Sequence, residues 1–171
     1  MVYNENSKEF MVGLPWNDKK YMLKINNMQA AARTREQQTI WSRDKKYGKA
    51  CVEAKEKLVL DWHVESVDPK AEPKGVEHYL PWRAIIKVES KTTKCRLVMD
   101  ASAKPTASDI SLNQALYQGP NLVVDLVFCI LRWMRGCYAA VSDIEKAFLK
   151  ILIHDKDRDA LRYFSSRPLE S

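Results

Sequence analysis

The chain has 171 residues, enough for one ordinary domain with an extension and for a real hydrophobic core. With 46% hydrophobic and 29% charged residues and only 5 Gly and 7 Pro, the composition excludes a collagen-like, low-complexity or wholly disordered chain. The formal charge of +6 is concentrated, since residues 82–104 hold Arg83, Lys87, Lys91, Lys94, Arg96 and Lys104 against only Glu89 and Asp100, which suits an anionic partner or a solvated basic face.

Cys51, Cys95, Cys129 and Cys137 have neither Cys-x-x-Cys spacing nor a nearby histidine partner, so no zinc site is readable and buried free thiols in a reducing, intracellular compartment are expected. Met1 to Glu9 lacks the basic and apolar regions of a secretory signal. The longest apolar stretch, Leu122 to Met134, contains Asp125 and Arg132 and is too short to span a bilayer, so no membrane partner is expected.

In chain order, Glu9 to Gly13 and Lys20 to Ile25 read as extended pieces around a Pro15-Trp16-Asn17-Asp18 turn and could pair as a hairpin. From Asn27 helix formers dominate, and Tyr47, Cys51, Ala54 and Leu58 recur at helix spacing, which predicts two helices or one bent helix. Two prolines, a glycine and alternating charges over residues 67–75 predict a surface loop and a boundary between a 1–66 extension and a 67–171 domain. Ala84 to Ser90 and Lys94 to Met99 predict a basic hairpin through a polar turn. Asn121 is the expected N-cap of an apolar helix whose Leu122, Val123, Leu126, Val127, Ile130, Leu131 and Met134 cover more than one face, implying burial on both sides. A strand over Tyr138 to Val141 is expected to deliver Asp143. Lys150 to Ile153 follows as a strand, Asp155 to Asp159 as a turn or short helix, and Leu161 to Phe164 as a last strand.

Asp143, in Ser142-Asp143-Ile144-Glu145-Lys146-Ala147-Phe148, would suit metal binding if it ended a rigid strand. The same residues also read as a Ser-x-x-Glu capping box. Upstream stand Tyr79-Leu80-Pro81, then Thr92-Thr93-Lys94-Cys95-Arg96-Leu97-Val98-Met99-Asp100-Ala101-Ser102-Ala103-Lys104, then Ser111-Leu112-Asn113. In order and spacing, this series with Asp143 resembles the front half of a reverse transcriptase of the BEL/Pao class of LTR retrotransposons. The likeness is close over about residues 76–165 and looser over about 9–65. Each motif is weak alone and specific in series.

The resemblance implies an α+β fold comprising the fingers and a partial palm of a right-hand polymerase, truncated, behind a helical extension. Arg96 matches the triphosphate-binding arginine, and its fork suits two phosphate oxygens at once. Lys87 or Lys91 would be the second cation, unless each is simply a solvated hairpin charge. The resemblance gives Asp143 and the Ile144 carbonyl to Mg²⁺, or Mn²⁺. It gives Phe148 to the deoxyribose, where a ring would block a ribose 2′-hydroxyl, against the plainer reading of a core aromatic. Asp100 reads as a cap or salt-bridge partner.

The implied partners are template-primer, deoxynucleoside triphosphate and the remainder of the polyprotein. Met99 and Gln114 depart from the family's usual Phe and Asp. More seriously, the family's second metal aspartate lies in a Tyr-x-Asp-Asp hairpin further along, and this sequence has no Asp-Asp pair. The 171 residues alone are therefore expected not to polymerise. The alternatives are a non-enzymatic basic module that binds nucleic acid and a decayed retroelement relic.

Overall fold

The computed structural model describes residues 2–4, 9–86 and 95–165. The fold is α+β: two small sheets, two long helices and several short ones. In the first sheet, β1 (Val2–Asn4) pairs antiparallel with β2 (Glu9–Val12), which runs parallel to β5 (Ile151–Ile153). The anticipated hairpin between Glu9–Gly13 and Lys20–Ile25 does not form, and Lys20–Met22 is a 3-10 turn. Its place is taken by a long-range clamp. The Leu14 backbone N–H and the Trp16 indole N–H converge on Asp157, donating to Oδ2 at 3.0 Å and to Oδ1 at 2.8 Å. Asp157 is buried in α4 (Asp155–Arg158), and its two charge-assisted bonds hold the chain leaving β2 against β5 rather than against Lys20–Met22.

Two helices form after Asn26, as the periodicity predicts: α1 (Asn27–Arg43) and α2 (Lys45–Leu60). Asp44 separates them. Its backbone is extended, and its Oδ1 accepts from both Lys46 and Tyr47 N–H, satisfying two of the donors that a helix start leaves open. Gly48 does more than weaken α2. A Cβ there would meet the Trp41 carbonyl oxygen at 3.2 Å, so glycine lets the two helices approach at their junction.

Asn26, itself buried, donates to the Tyr79 carbonyl at 2.7 Å and accepts from Tyr79 N–H at 2.8 Å. Its amide thereby fastens the start of α1 to the segment leading into the second sheet. That sheet is the predicted hairpin, β3 (Trp82–Ile86) antiparallel to β4 (Cys95–Met99), in register from Trp82↔Met99 to Ile86↔Cys95. The period-2 pleat sends Trp82, Ala84, Ile86, Cys95, Leu97 and Met99 toward α1 and α2, where they form a core with Trp41 and Cys51. Arg83, Ile85, Arg96 and Val98 face away from it. A second core gathers Leu23, Leu80, Leu112, Ala115 and Ala160. The β2–β5 pairing and the packing of α1 and α2 on β3–β4 draw on residues from both sides of position 66/67.

Residues 121–150 depart most from expectation. Asn121 caps no helix, its side chain accepting only from Val123 N–H. Helix α3 (Leu126–Trp133) starts later, with Asp125 as N-cap accepting from Phe128 N–H at 3.1 Å. None of its residues is buried, against the expected burial on both sides. Cys129 and Cys137 are exposed, where buried thiols were predicted. Tyr138 to Val141 is not a strand. Ser142 and Glu145 form no capping box, because the next turn, Ala147–Lys150, is entered through Lys146 in a left-handed conformation. Leu161 to Phe164 contributes only a bridge from Arg162 to Tyr79 rather than a strand. The accessible surface is 13874 Å² for 19.8 kDa, whereas a compact monomer of that mass exposes roughly 8,600 Å².

Candidate functional site

The outer face of the β3–β4 hairpin is the first candidate. Register pairs Arg83 with Val98 and Ile85 with Arg96, making Arg83 and Arg96 diagonal neighbours on the order of 7 Å apart. Both arginines are exposed. Neither has an ion-pair partner among the described residues, so their planar donors are open to an anion. Beside them lies a half-open cleft of about 420 Å³ between α1 and the hairpin, whose lining includes Arg33, Gln37, Arg83, Val98, Asp100 and Ser102.

Asp100 is already engaged there. Its Oδ1 accepts from Ser102 Oγ–H at 2.5 Å and Ser102 N–H at 3.1 Å, and its Oδ2 meets Arg33 Nη1 at 2.6 Å. The Ser102 hydroxyl first and then the Arg33 guanidinium hold the Asp100 carboxyl below the usual range. This is the turn-capping and salt-bridging role that its place after a strand suggested. Lys87 and Lys91 lie outside the described residues.

The aspartate motif is the second candidate. Asp143 is exposed in irregular backbone, and its Oδ1 accepts from the neighbouring Ile144 N–H at 2.9 Å. Ile144 is 71% and Phe148 91% exposed, so the Phe148 ring is not a core aromatic. Among the described residues no group of three or more His, Cys, Asp or Glu side chains could hold a metal ion. One carboxylate and one carbonyl do not retain Mg²⁺ against water. No hydrogen bond or ion pair among the described residues joins Asp143 or Phe148 to Arg96.

Lys146 ties this motif to the rest of the fold. Its ammonium pairs with Asp61, the C-cap of α2, and His63 Nε2 stands 4.0 Å from the same carboxylate. The bond to Lys146 is the main reason the Asp61 carboxyl is held down. These groups with Glu145 and Lys150 line a cleft of about 260 Å³.

Lys55 was also missed. It is 7% exposed, with Nζ 4.1 Å from the Trp82 ring centroid and 4.7 Å from that of Trp41. Burial pulls it from 10.5 to about 8, opposed by Cys51. Its signal was available in the sequence, since Lys55 lies four residues beyond Cys51 and eight beyond Tyr47, on their helix face. No helix among the described residues is long and apolar enough to cross a membrane. Set against known proteins, the chain matches no protein-family model, no curated protein and no solved structure.

Proposed function

We propose that this chain is the front part of an RNA-directed DNA polymerase of the BEL/Pao retrotransposon type. It contributes the fingers hairpin and the first part of the palm to a protein that binds template-primer and deoxynucleoside triphosphate. The observation that carries the reading is the ordered series from Tyr79-Leu80-Pro81 through Arg96 and Ser111-Leu112-Asn113 to Asp143. Two features of the fold support it. Arg96 stands exposed on an antiparallel hairpin backed by helices, as a triphosphate-binding arginine requires. The apolar segment around α3, none of whose helical residues is buried, fits a face that other parts of a larger protein would cover. Among the described residues no complete metal site is present, so on this reading further carboxylates come from other residues of the full polymerase and these 171 residues alone would not extend a primer.

The test is a chain continued through the rest of the palm, assayed for primer extension with deoxynucleotides and Mg²⁺. Asp143→Asn should abolish extension and leave template-primer binding largely intact, and Phe148→Ala should relax discrimination against ribonucleotides. Extension that survives Asp143→Asn would remove Asp143 from the metal site. The paired exposure of Arg83 and Arg96 favours one second reading, a non-enzymatic module that holds nucleic acid on the hairpin face. It predicts salt-steep binding by the 171 residues and no Asp-Asp hairpin in the continued reading frame.

A further inference from the structure

The contact between α2 and β4 holds two cysteines 44 positions apart in sequence whose sulfurs touch, Cys51 Sγ and Cys95 Sγ at 3.7 Å. They are 0% and 7% exposed, and both are free thiols. The pair sits where α2 packs on β4: Cys95 pairs with Ile86, at the end of the described ladder nearest the segment that joins the two strands, and Arg96 follows it. We propose that Cys51 and Cys95 form a redox-modifiable dithiol, converted by a hydroperoxide into a disulfide that ties α2 to the hairpin.

Several features favour this pair as a unit. Disulfide geometry needs the sulfurs to close to about 2.05 Å, and they already stand 3.7 Å apart. Cys129 and Cys137 are exposed on residues 126–137 and belong to neither core. Lys55, one turn along α2 from Cys51, brings a positive charge that favours the Cys51 thiolate, although burial outweighs it and pushes that thiol up to about 12. Oxidation is therefore slow and begins at Cys95, the less buried of the two sulfurs at 7% exposure, when a local opening admits a small oxidant.

The chemistry balances. The Cys95 thiolate attacks one peroxide oxygen, the O–O bond breaks, and the departing oxygen takes a proton, leaving Cys95 as a sulfenic acid. The Cys51 sulfur then attacks the Cys95 sulfur, forming the S–S bond. Hydroxide leaves and is protonated by the proton that Cys51 gives up. Two thiols lose two electrons to the O–O bond, and with hydrogen peroxide the products are one disulfide and two waters. The inference is independent of the polymerase reading.

The test uses the full chain carrying Cys129→Ser and Cys137→Ser, which alter only exposed positions. Treated with hydrogen peroxide while folded, then alkylated in denaturant, it should lose about 2 Da and two alkylatable thiols, with both recovered by dithiothreitol. Peptide mapping should link Cys51 to Cys95, and the oxidised chain should melt about 5 °C or more above the reduced one. Adding Cys51→Ser should abolish the link and leave Cys95 as a sulfenic or higher acid. A folded chain that keeps both thiols, under exposure that oxidises the urea-unfolded chain completely, would overturn the proposal. So would gains of oxygen mass without a link.

Discussion

Replacing Lys55 with Met should remove a specific feature of how stability depends on pH. The Lys55 ammonium lies between Trp41 and Trp82 in the core that joins α1, α2 and the hairpin. Its value of about 8, against 10.5 for a free lysine, means that between those limits the folded chain has released a proton that the unfolded chain still holds. Unfolding then takes up a proton, so the Lys55 contribution makes stability rise with pH from about 8 to 10.5, while below 8 its cost is constant. At about 1.4 kcal/mol per pH unit the span sets a ceiling of about 3 kcal/mol, and relaxation around the ammonium lowers what is realised, to about 1–3 kcal/mol.

Other groups work in the opposite sense. Burial holds Cys51 at about 12 and raises Cys95, Tyr47 and Tyr163, so each stays protonated in the fold where the unfolded chain ionises, and stability falls above pH 9 on their account. The raw curve of either protein mixes both signs; the difference between them isolates Lys55. Urea unfolding followed by circular dichroism at intervals from pH 7 to 10.5 should show the stability of the natural chain relative to Lys55→Met rising by about 1–3 kcal/mol across the upper part of that range. A difference that stays flat or falls would refute the assignment of a depressed, buried ammonium.

His78 is fully buried, and its Nδ1–H donates to the Lys24 carbonyl at 3.0 Å, while Nε2 has no partner among the described residues. Burial lowers its pKa from 6.5, so its stabilisation is present above pH 6.5 and is lost as pH falls from there through the folded value. Urea titrations at pH 7 and 5 should show that slope, and His78→Phe should flatten it. Gly75→Ala places a Cβ 2.0 Å from the Lys156 carbonyl oxygen and should cost about 2 kcal/mol or more, read as a fall in denaturation midpoint. Asp44→Ala removes the cap shared by Lys46 and Tyr47 and should cost about 1 kcal/mol, largely restored by Asn in the same assay.

The elements legible in the sequence are those whose signal is local. The α1 and α2 helices are continuous runs of good helix formers, and the β3–β4 hairpin alternates cleanly about a polar turn. In Ser111-Leu112-Asn113-Gln114, the departure from the family's Asp has a local use. Ser111 Oγ accepts from Gln114 N–H, and the Gln114 side chain accepts from Ser111 N–H, closing a capping box where none was sought. What stayed hidden depends on partners far along the chain. Nothing near Trp16 announces that its indole reaches Asp157, 141 positions away. Nothing near Lys146 announces Asp61, 85 positions back. The buried Lys55 is a different case: its helix register with Tyr47 and Cys51 is a local signal, but charge argues for solvent, and two indole faces override that argument here.

The last motif of the series, at Asp143, lies in the stretch where expectation and fold differ most. Leu126, Val127, Phe128, Ile130, Leu131, Trp133 and Met134 are each between 45% and 72% exposed, yet fully burying such a side chain is worth about 1.5–3 kcal/mol. Summed over these residues, the unrealised burial is on the order of 10 kcal/mol, comparable to the whole stability of an ordinary domain. An eight-residue helix gains too little from its own hydrogen bonds to persist in water, so its persistence rests on packing. The strand expected over Tyr138–Val141 fails for the same reason, because β-propensity expresses how side chains fit a pleated surface between neighbouring strands, and Tyr138 at 98% exposure has no such surface. Asp143 inherits the consequence. A carboxylate is held to metal-binding precision only by a strand locked in a sheet, so the aspartate, the strand before it and α3 depend together on whatever covers this face.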